Sequence, residues 1–194
     1  MYHIDNSIDN LRTAGMATIR GYMGVSADHY LASPDGTLDW LRKYDKVDFG
    51  EHSYERFIKG IRTVVMGRTT YDEIPNFNIG WPYAAQRAIV VTSRPTDKPI
   101  GKIEVWDRGV DALIAYLCKL DDGDVWIAGG GKLQQAFIER GGLDRLELFV
   151  VPEIVGAGIP LFPPNGFART VKLTAAEPLA AGVVRLVYDF PAAA

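Results

Sequence analysis

The heptapeptide IRTVVMG, residues 61–67, restricts the fold more than any other stretch of the chain. It is dominated by β-branched and other apolar side chains and lacks the polar alternation of a strand with one wet face. Such a strand must be covered on both sides, the condition of a largely parallel sheet between helical layers. Further strands are read at 17–25, 87–93 (RAIVVTS), 103–106 (IEVW), 124–129 (DVWIAG) and 146–155 (LELFVVPEIV). Helices are expected at 50–60, with Phe57, Ile58 and Ile61 on one face, from Arg68 onward, at 109–120 and at 131–141, the last closed by Gly141. Residues 26–40 read as a loop punctuated by Pro34, Asp35 and Gly36, and the alternating tail 170–190 as a two-stranded hairpin. Two-layer packing of these elements predicts the class α/β, a sandwich around a mixed, mostly parallel sheet with an antiparallel C-terminal edge.

At 194 residues, 47% hydrophobic and 23% charged, the chain can bury one core, and no repeat or linker divides it. Residues 1–16 are polar and aperiodic; they read as an N-terminal arm, flexible or laid on a neighbouring subunit, with Met16 a candidate natural start, and 17–194 as one domain. A net charge of -3 argues against nucleic-acid binding. The lone Cys118 cannot form an internal disulfide, which fits a reducing compartment, and its apolar surroundings mark it as a buried helix residue. The histidines are dispersed and carry no metal-binding spacing. Neither a secretory leader pattern nor the ~20 apolar residues of a membrane span is present, so the expected location is cytoplasmic.

Three consecutive glycines, Gly129 to Gly131, interrupt VWIAGGGKLQQAF at a strand-to-helix junction. Either a tight turn or a ligand against the main chain needs bare backbone there. Unpaired amides and the positive end of a helix dipole suit such a junction to an anion. A GxGxxG dinucleotide fingerprint is excluded, because Gln134 stands where its last glycine belongs and the glycines follow about the fifth strand instead of the first. Two other junctions are comparable. VVMGRTTYDE turns at Gly67, Arg68, Thr69 and Thr70, and IVVTSRP ends in Ser93 and Arg94, a hydroxyl and a five-donor guanidinium suited to phosphate.

In their order and spacing, MGRTTYDE, VVTSRP and IAGGGKLQQAFIERGGLDRLELFVVPEIVGAGIPLFP resemble the dihydrofolate reductase fold over about residues 17–190. The closer likeness is to the branch similar to the C-terminal reductase domain of the bacterial riboflavin-synthesis enzyme. The resemblance implies a dihydrofolate reductase-like three-layer α/β/α sandwich that binds NADPH across the carboxyl ends of its strands. It implies that Gly67, Arg68, Thr69 and Thr70 meet the phosphates, and that Ser93 and Arg94 meet the adenosine end. By the same likeness Ala128, Gly129, Gly130, Gly131, Lys132 and Leu133 hold the pyrophosphate, while Met23, Gly24 and Leu31 line the nicotinamide beneath the loop 26–38. Asp28 and Trp40 match the family's active-site loop, where relatives commonly carry glycine at the position of His29. Gly158, Pro160, Leu161 and Phe162 match a stretch expected to border the substrate pocket.

Reduction by NADPH leaves the protein to position the substrate and to supply a proton. The acidic residue that dihydrofolate reductases keep early in their second helix falls, by ungapped spacing to Gly67, on Glu51; Asp48 is the rival, and a helix N-terminal cap is the other role for both. The expected activity is NADPH-dependent reduction of a small heterocycle such as 5-amino-6-(5-phosphoribosylamino)uracil. Dihydrofolate reduction and a non-catalytic NADPH-binding role are the alternatives. Arg87 stands where folate reductases hold an arginine for the glutamate tail, a surface strand-edge arginine being the other reading. A homodimer is expected from the apolar LELFVVPEIV strand and from a branch that pairs through its sheet edge.

Overall fold

The computed structural model describes residues 16–96 and 99–190. An eight-stranded sheet runs in the order β5-β4-β3-β6-β1-β7-β10-β9. Its members are β1 (Ile19–Val25), β3 (Ile61–Gly67), β4 (Arg87–Val91), β5 (Glu104–Trp106), β6 (Asp124–Gly129), β7 (Arg145–Val150), β9 (Lys172–Pro178) and β10 (Val184–Asp189). The first six in spatial order are parallel, and β10 runs antiparallel to both β7 and β9. A separate two-stranded ladder pairs β2 (Tyr30–Ala32) with β8 (Ile159–Pro160). The helices are α1 (Asp39–Arg42), α2 (Tyr54–Gly60), α3 (Arg68–Glu73), α4 (Val110–Leu117) and α5 (Gly131–Glu139).

Strand β3 shows why the sheet is covered on both faces. Val65 joins a core shared with Leu113, Ile114 and Leu117 of α4 and Leu133 and Phe137 of α5. Its neighbours Val64 and Met66 point the other way, into a core shared with Tyr71 of α3 and Phe57 and Ile58 of α2. All three side chains are fully buried, each contributing about 1.5–3 kcal/mol relative to exposure. The three-layer α/β/α sandwich that the resemblance implies is the observed architecture, whereas the pattern alone gave two layers; helices cover both faces because β3 is apolar on both.

Several boundaries differ from the sequence expectation, each for a local reason. The helix expected over 50–60 divides into a 3-10 turn, Gly50–His52, and α2, because Ser53 between them is extended (ψ 151). Ile61 opens β3 instead of extending the helix face. Strand β7 ends at Val150, two residues before Pro152, which has no amide to donate to a ladder. The loop 26–40 contains β2 and α1, whose partners lie far along the chain.

Strand β7 lies between β1 and β10, so it presents no edge; the edge strands are β5 and β9. This removes the structural ground on which a homodimer was expected from that strand. The N-terminal arm lies outside the described residues, apart from Met16. Among the described residues no helix is long and apolar enough to cross a membrane.

Candidate functional site

Because β3 and β6 are neighbours and both run into helices, the starts of α3 and α5 sit side by side at the carboxyl end of the sheet. Gly67 caps α3 and Gly130 caps α5. A Cβ on Gly67 would lie 3.8 Å from the Gly129 carbonyl oxygen and 3.9 Å from the Gly130 amide nitrogen. Thr70 leans in from α3, its Oγ1 3.5 Å from a Cβ built on Gly130, and the Met23 methyl lies 3.6 Å from one built on Gly129. Gly67, Thr70, Met23 and the glycine run therefore form one cluster.

The three glycines have three different reasons. Gly129 adopts φ +134, a conformation that side chains disfavour, and its peptide bond to Gly130 is cis. Gly131 is required by packing: a Cβ there would drive into the carbonyl oxygen of Leu161 and lie 2.8 Å from that of Pro160. Gly130 shares the cis bond but has neither the positive φ of Gly129 nor the clash of Gly131. Its φ is -80, and among the described residues the only neighbour of a Cβ is Thr70 Oγ1 at ordinary contact distance. No side chain caps α5; the Leu133 and Gln134 amides are taken by the Gly130 carbonyl, which leaves the Gly131 and Lys132 amides with the positive end of a nine-residue helix beside that opening. Lys132 is exposed next to it, Ala128 is half-buried, and Leu133 points into the core.

The junction after β4 is tied to the same edge. Arg68 donates from Nε to Asp72 Oδ1 at 2.7 Å and from Nη1 to the Pro95 carbonyl at 2.7 Å, holding the 93–95 turn against α3. The Arg94 amide donates to Thr92 Oγ1 at 3.0 Å, which fixes the turn from within. Ser93, Arg94 and Thr69 are exposed there.

The segment after β1 is fastened to the chain that follows β7. Ser26, fully buried, donates from Oγ to Asp28 at 2.6 Å and accepts from the Tyr30 amide at 2.8 Å. The Asp28 carboxylate also accepts from the amides of Gly156 at 2.7 Å and Val155 at 3.2 Å. The Ser26 hydroxyl first, with those amides in support, pulls the Asp28 pKa down to about 2. Ala27 donates to the Glu153 carbonyl and Leu161 to that of His29. His29 adopts φ +62, a left-handed conformation uncommon for a residue other than glycine. Gly158 is required by packing, since a Cβ would strike the Ala32 carbonyl. Asp28, Gly158, Pro160 and Leu161 thus brace this loop, and Leu31 packs beneath it against the core.

Residues 17–185 match the family model described as the RibD C-terminal domain. The chain belongs to that family. It is 31% identical over 141 residues to the uncharacterized protein YwjB of Bacillus subtilis, spanning 73% of this chain and 80% of YwjB. Among solved structures, a protein from Shewanella sp. PV-4 assigned to riboflavin biosynthesis superposes with a TM-score of 0.77 at 26% identity, over 91% of this chain and 99% of that one. The dihydrofolate reductase of Enterococcus faecalis, complexed with NADP(H), superposes with a TM-score of 0.61 at 20% identity, over 90% of this chain and 96% of its own, and shows the shared fold.

On the α2 face this RibD C-terminal domain carries an aromatic wall that the sequence pattern did not reveal. Tyr22 of β1 stacks on Phe57 of α2, ring centroids 4.1 Å apart. Trp126 of β6 receives the edges of Phe57, Tyr54 and Tyr83 at 5.5, 5.9 and 6.0 Å. Burial, with the Glu147 charge second, pushes the Tyr22 hydroxyl well above its ordinary range, and it donates to the His52 carbonyl at 2.9 Å. Leu41 covers Gly24, leaving 3.0 Å to a Cβ there. Trp40 packs on the cluster of Phe149, Val151 and Val183, and its indole N–H is buried without a partner among the described residues.

The two candidate acids are not in a buried pocket. Glu51 sits on the 3-10 turn with its side chain 77% exposed, and Asp48, also exposed, accepts from the Gly50 amide at 2.7 Å. The buried carboxylate on this face is Glu147, bound by Arg20 and by Arg185. Burial alone would raise its pKa; the hydrogen bonds from the two guanidiniums outweigh that and hold it below the ordinary value. Arg87 donates to Thr63 Oγ1 at 3.0 Å and to Asp122 at 3.2 Å, at the amino end of β4.

Proposed function

We propose that this RibD C-terminal domain is an NADPH-dependent reductase of a small heterocycle, with the phosphoribosylamino-uracil of riboflavin synthesis as the substrate class. The observation that carries the reading is the opening at Gly130, where a Cβ would meet only Thr70 Oγ1 among the described residues, which leaves the approach to the α5 amides clear. The residues fit a phosphorylated nucleotide. Gly67, Thr69 and Thr70 at the start of α3 and the 130–132 amides with Lys132 hold the diphosphate. Ser93 and Arg94 receive the adenosine end, and Arg94 carries most of the preference for a 2′-phosphate, because Arg68 is already engaged by Asp72 and Pro95. When bound, the reduced nicotinamide supplies hydride. Met23, Gly24 and Leu31 border its ring, and the segment 26–32, latched by Asp28, excludes water from it.

The internal pairing of Arg87 gives dihydrofolate's glutamate tail no free guanidinium there, so dihydrofolate is the weaker substrate reading. The exposure of Glu51 and Asp48 favours one further reading, a domain that binds NADPH without turnover. Loss of reduced-nicotinamide absorbance on mixing protein, NADPH and the phosphoribosylamino-uracil decides between them. Turnover is expected, and Glu51→Gln is expected to slow it by less than roughly tenfold, since an exposed carboxyl lacks the low-dielectric setting of an efficient general acid. Tight NADPH binding without oxidation of the cofactor would establish the binding protein instead.

A further inference from the structure

A phosphoribosylamino-uracil carries a phosphate of its own, whereas Arg94, Lys132 and the α5 amides are taken up with the cofactor's in the reductase reading. The order of the sheet defines the crevice beside them. Strand β6 lies between β3 and β1. From β3 the chain enters α3 and then the 3-10 turn Ile74–Phe77; from β1 it runs through β2 into α1. Both routes land on the α2 face. Tyr71 of α3 belongs to the cluster of Trp126, and Trp40 and Leu41 of α1 pack on Phe149 together with Tyr22, which also borders the Trp126 cluster. Between these two lips β6 presents Trp126 and then the half-buried Ala128, two residues short of Gly130. A slot thus leads along β6 from the aromatic wall to the glycine opening, with α1 on one side and α3 on the other.

One side-chain contact joins the lips. The Arg42 guanidinium of α1 lies 5.9 Å from the centroid of the Phe77 ring. Arg42 is exposed and Phe77 half-buried, and among the described residues that guanidinium has no carboxylate partner. Nearby cations are engaged: Lys43 by the Glu153 carboxylate at 2.7 Å, and Arg68 by Asp72 and the Pro95 carbonyl. A ring face holds a guanidinium weakly at an exposed site and leaves its donors open. The planar fork of donors matches two oxygens of a phosphate, so an anion arriving from solvent replaces the ring with charge-assisted hydrogen bonds.

We propose that Arg42 is the specificity residue for the substrate's phosphate. The heterocycle enters the slot toward Ala128, and the ribose phosphate stays at the mouth, where the guanidinium leaves Phe77 and pairs with it. The proposal rests on the reductase reading for the identity of the ring, but the phosphate contact is testable without turnover.

The probes are ribose 5-phosphate, ribose and inorganic phosphate, titrated into the full chain with NADP+ present to fill the cofactor's own phosphate sites, and followed by NMR of the arginine Nε–H groups. Saturable binding of ribose 5-phosphate is expected, with the Arg42 signal shifted and with ribose and inorganic phosphate each weaker by roughly tenfold or more, the scale of a hydrogen bond to a charged group. Arg42→Gln, at an exposed position, is expected to fold as the parent does and to bind ribose 5-phosphate no better than ribose. Absence of saturable binding, inorganic phosphate matching ribose 5-phosphate, an unmoved Arg42 signal, or equal affinity in the parent and Arg42→Gln would each overturn the assignment. NADP+ binding is read in the same samples. A chain that ignores NADP+ yet shifts Arg42 with ribose 5-phosphate overturns the cofactor reading and supports this one.

Discussion

Gly131→Ala places one methyl group between two carbonyl oxygens that have little freedom to move. Leu161 is held by its amide bond to His29, and Pro160 by the pairing of β8 with β2, so the start of α5 and strand β8 must separate to admit it. Overpacking of this kind costs about 1–3 kcal/mol, and contact with backbone instead of a rotatable side chain puts this site at the upper end. Replacing glycine by alanine returns about 0.4–1 kcal/mol through the unfolded chain, leaving a net loss of about 1–2.5 kcal/mol. For a domain of this size that corresponds to a fall in Tm of about 2–10 °C. Gly130→Ala meets only Thr70 Oγ1 at 3.5 Å and is expected to stay within about 0.5 kcal/mol of the parent. Parallel thermal melts followed by tryptophan fluorescence separate the two. A Gly131→Ala melt indistinguishable from the parent, or an equal loss in Gly130→Ala, would refute the division of roles among the glycines.

Two further outcomes are expected. Gln134 is fully buried with both amide atoms unpartnered, an arrangement that costs about 1–3 kcal/mol, so Gln134→Met should raise stability in urea by about 1 kcal/mol; a loss of that size would contradict it. The Asp28 carboxyl has a folded pKa of about 2, below its unfolded value, so its grip on Gly156 is complete above about pH 4 and is lost as pH falls toward 2. The Gly156 amide resonance should therefore hold steady from neutral pH down to that range, and a titration near pH 6 would show that another group controls the latch.

Strands β3 and β6 and the start of α5 were legible because each depends on local pattern: an apolar run needing two covered faces, then bare backbone, then helical spacing. The ladder of β2 with β8 was not legible, since it joins three residues to two across a long stretch of chain and one partner is a proline. Nor was the break at Ser53, where one extended residue divides a sequence with good helical spacing. At the site, sequence reasoning read the glycines as a unit serving one ligand. The fold assigns Gly129 to conformation and Gly131 to packing, a distinction that depends on where Leu161 returns. Asp28 was singled out by its match to the family's active-site loop, but its partners Val155 and Gly156 are visible only in three dimensions. The aromatic wall escaped because its members come from β1, α2, β6 and the loop before β4, with no shared period.

The measurement that bears most directly on the proposed function is the NADPH affinity of Gly130→Val beside that of the parent chain, taken by nucleotide fluorescence with circular dichroism as the check on folding. The valine has room among the protein's own atoms at its Cβ but stands in the approach to the α5 amides. Saturable NADPH binding by the parent, abolished in Gly130→Val with the fold unchanged, is the predicted result. NADPH affinity that is the same in both proteins would mean that the opening at Gly130 holds no cofactor phosphate, and the assignment of this edge of the sheet as the cofactor site would be wrong.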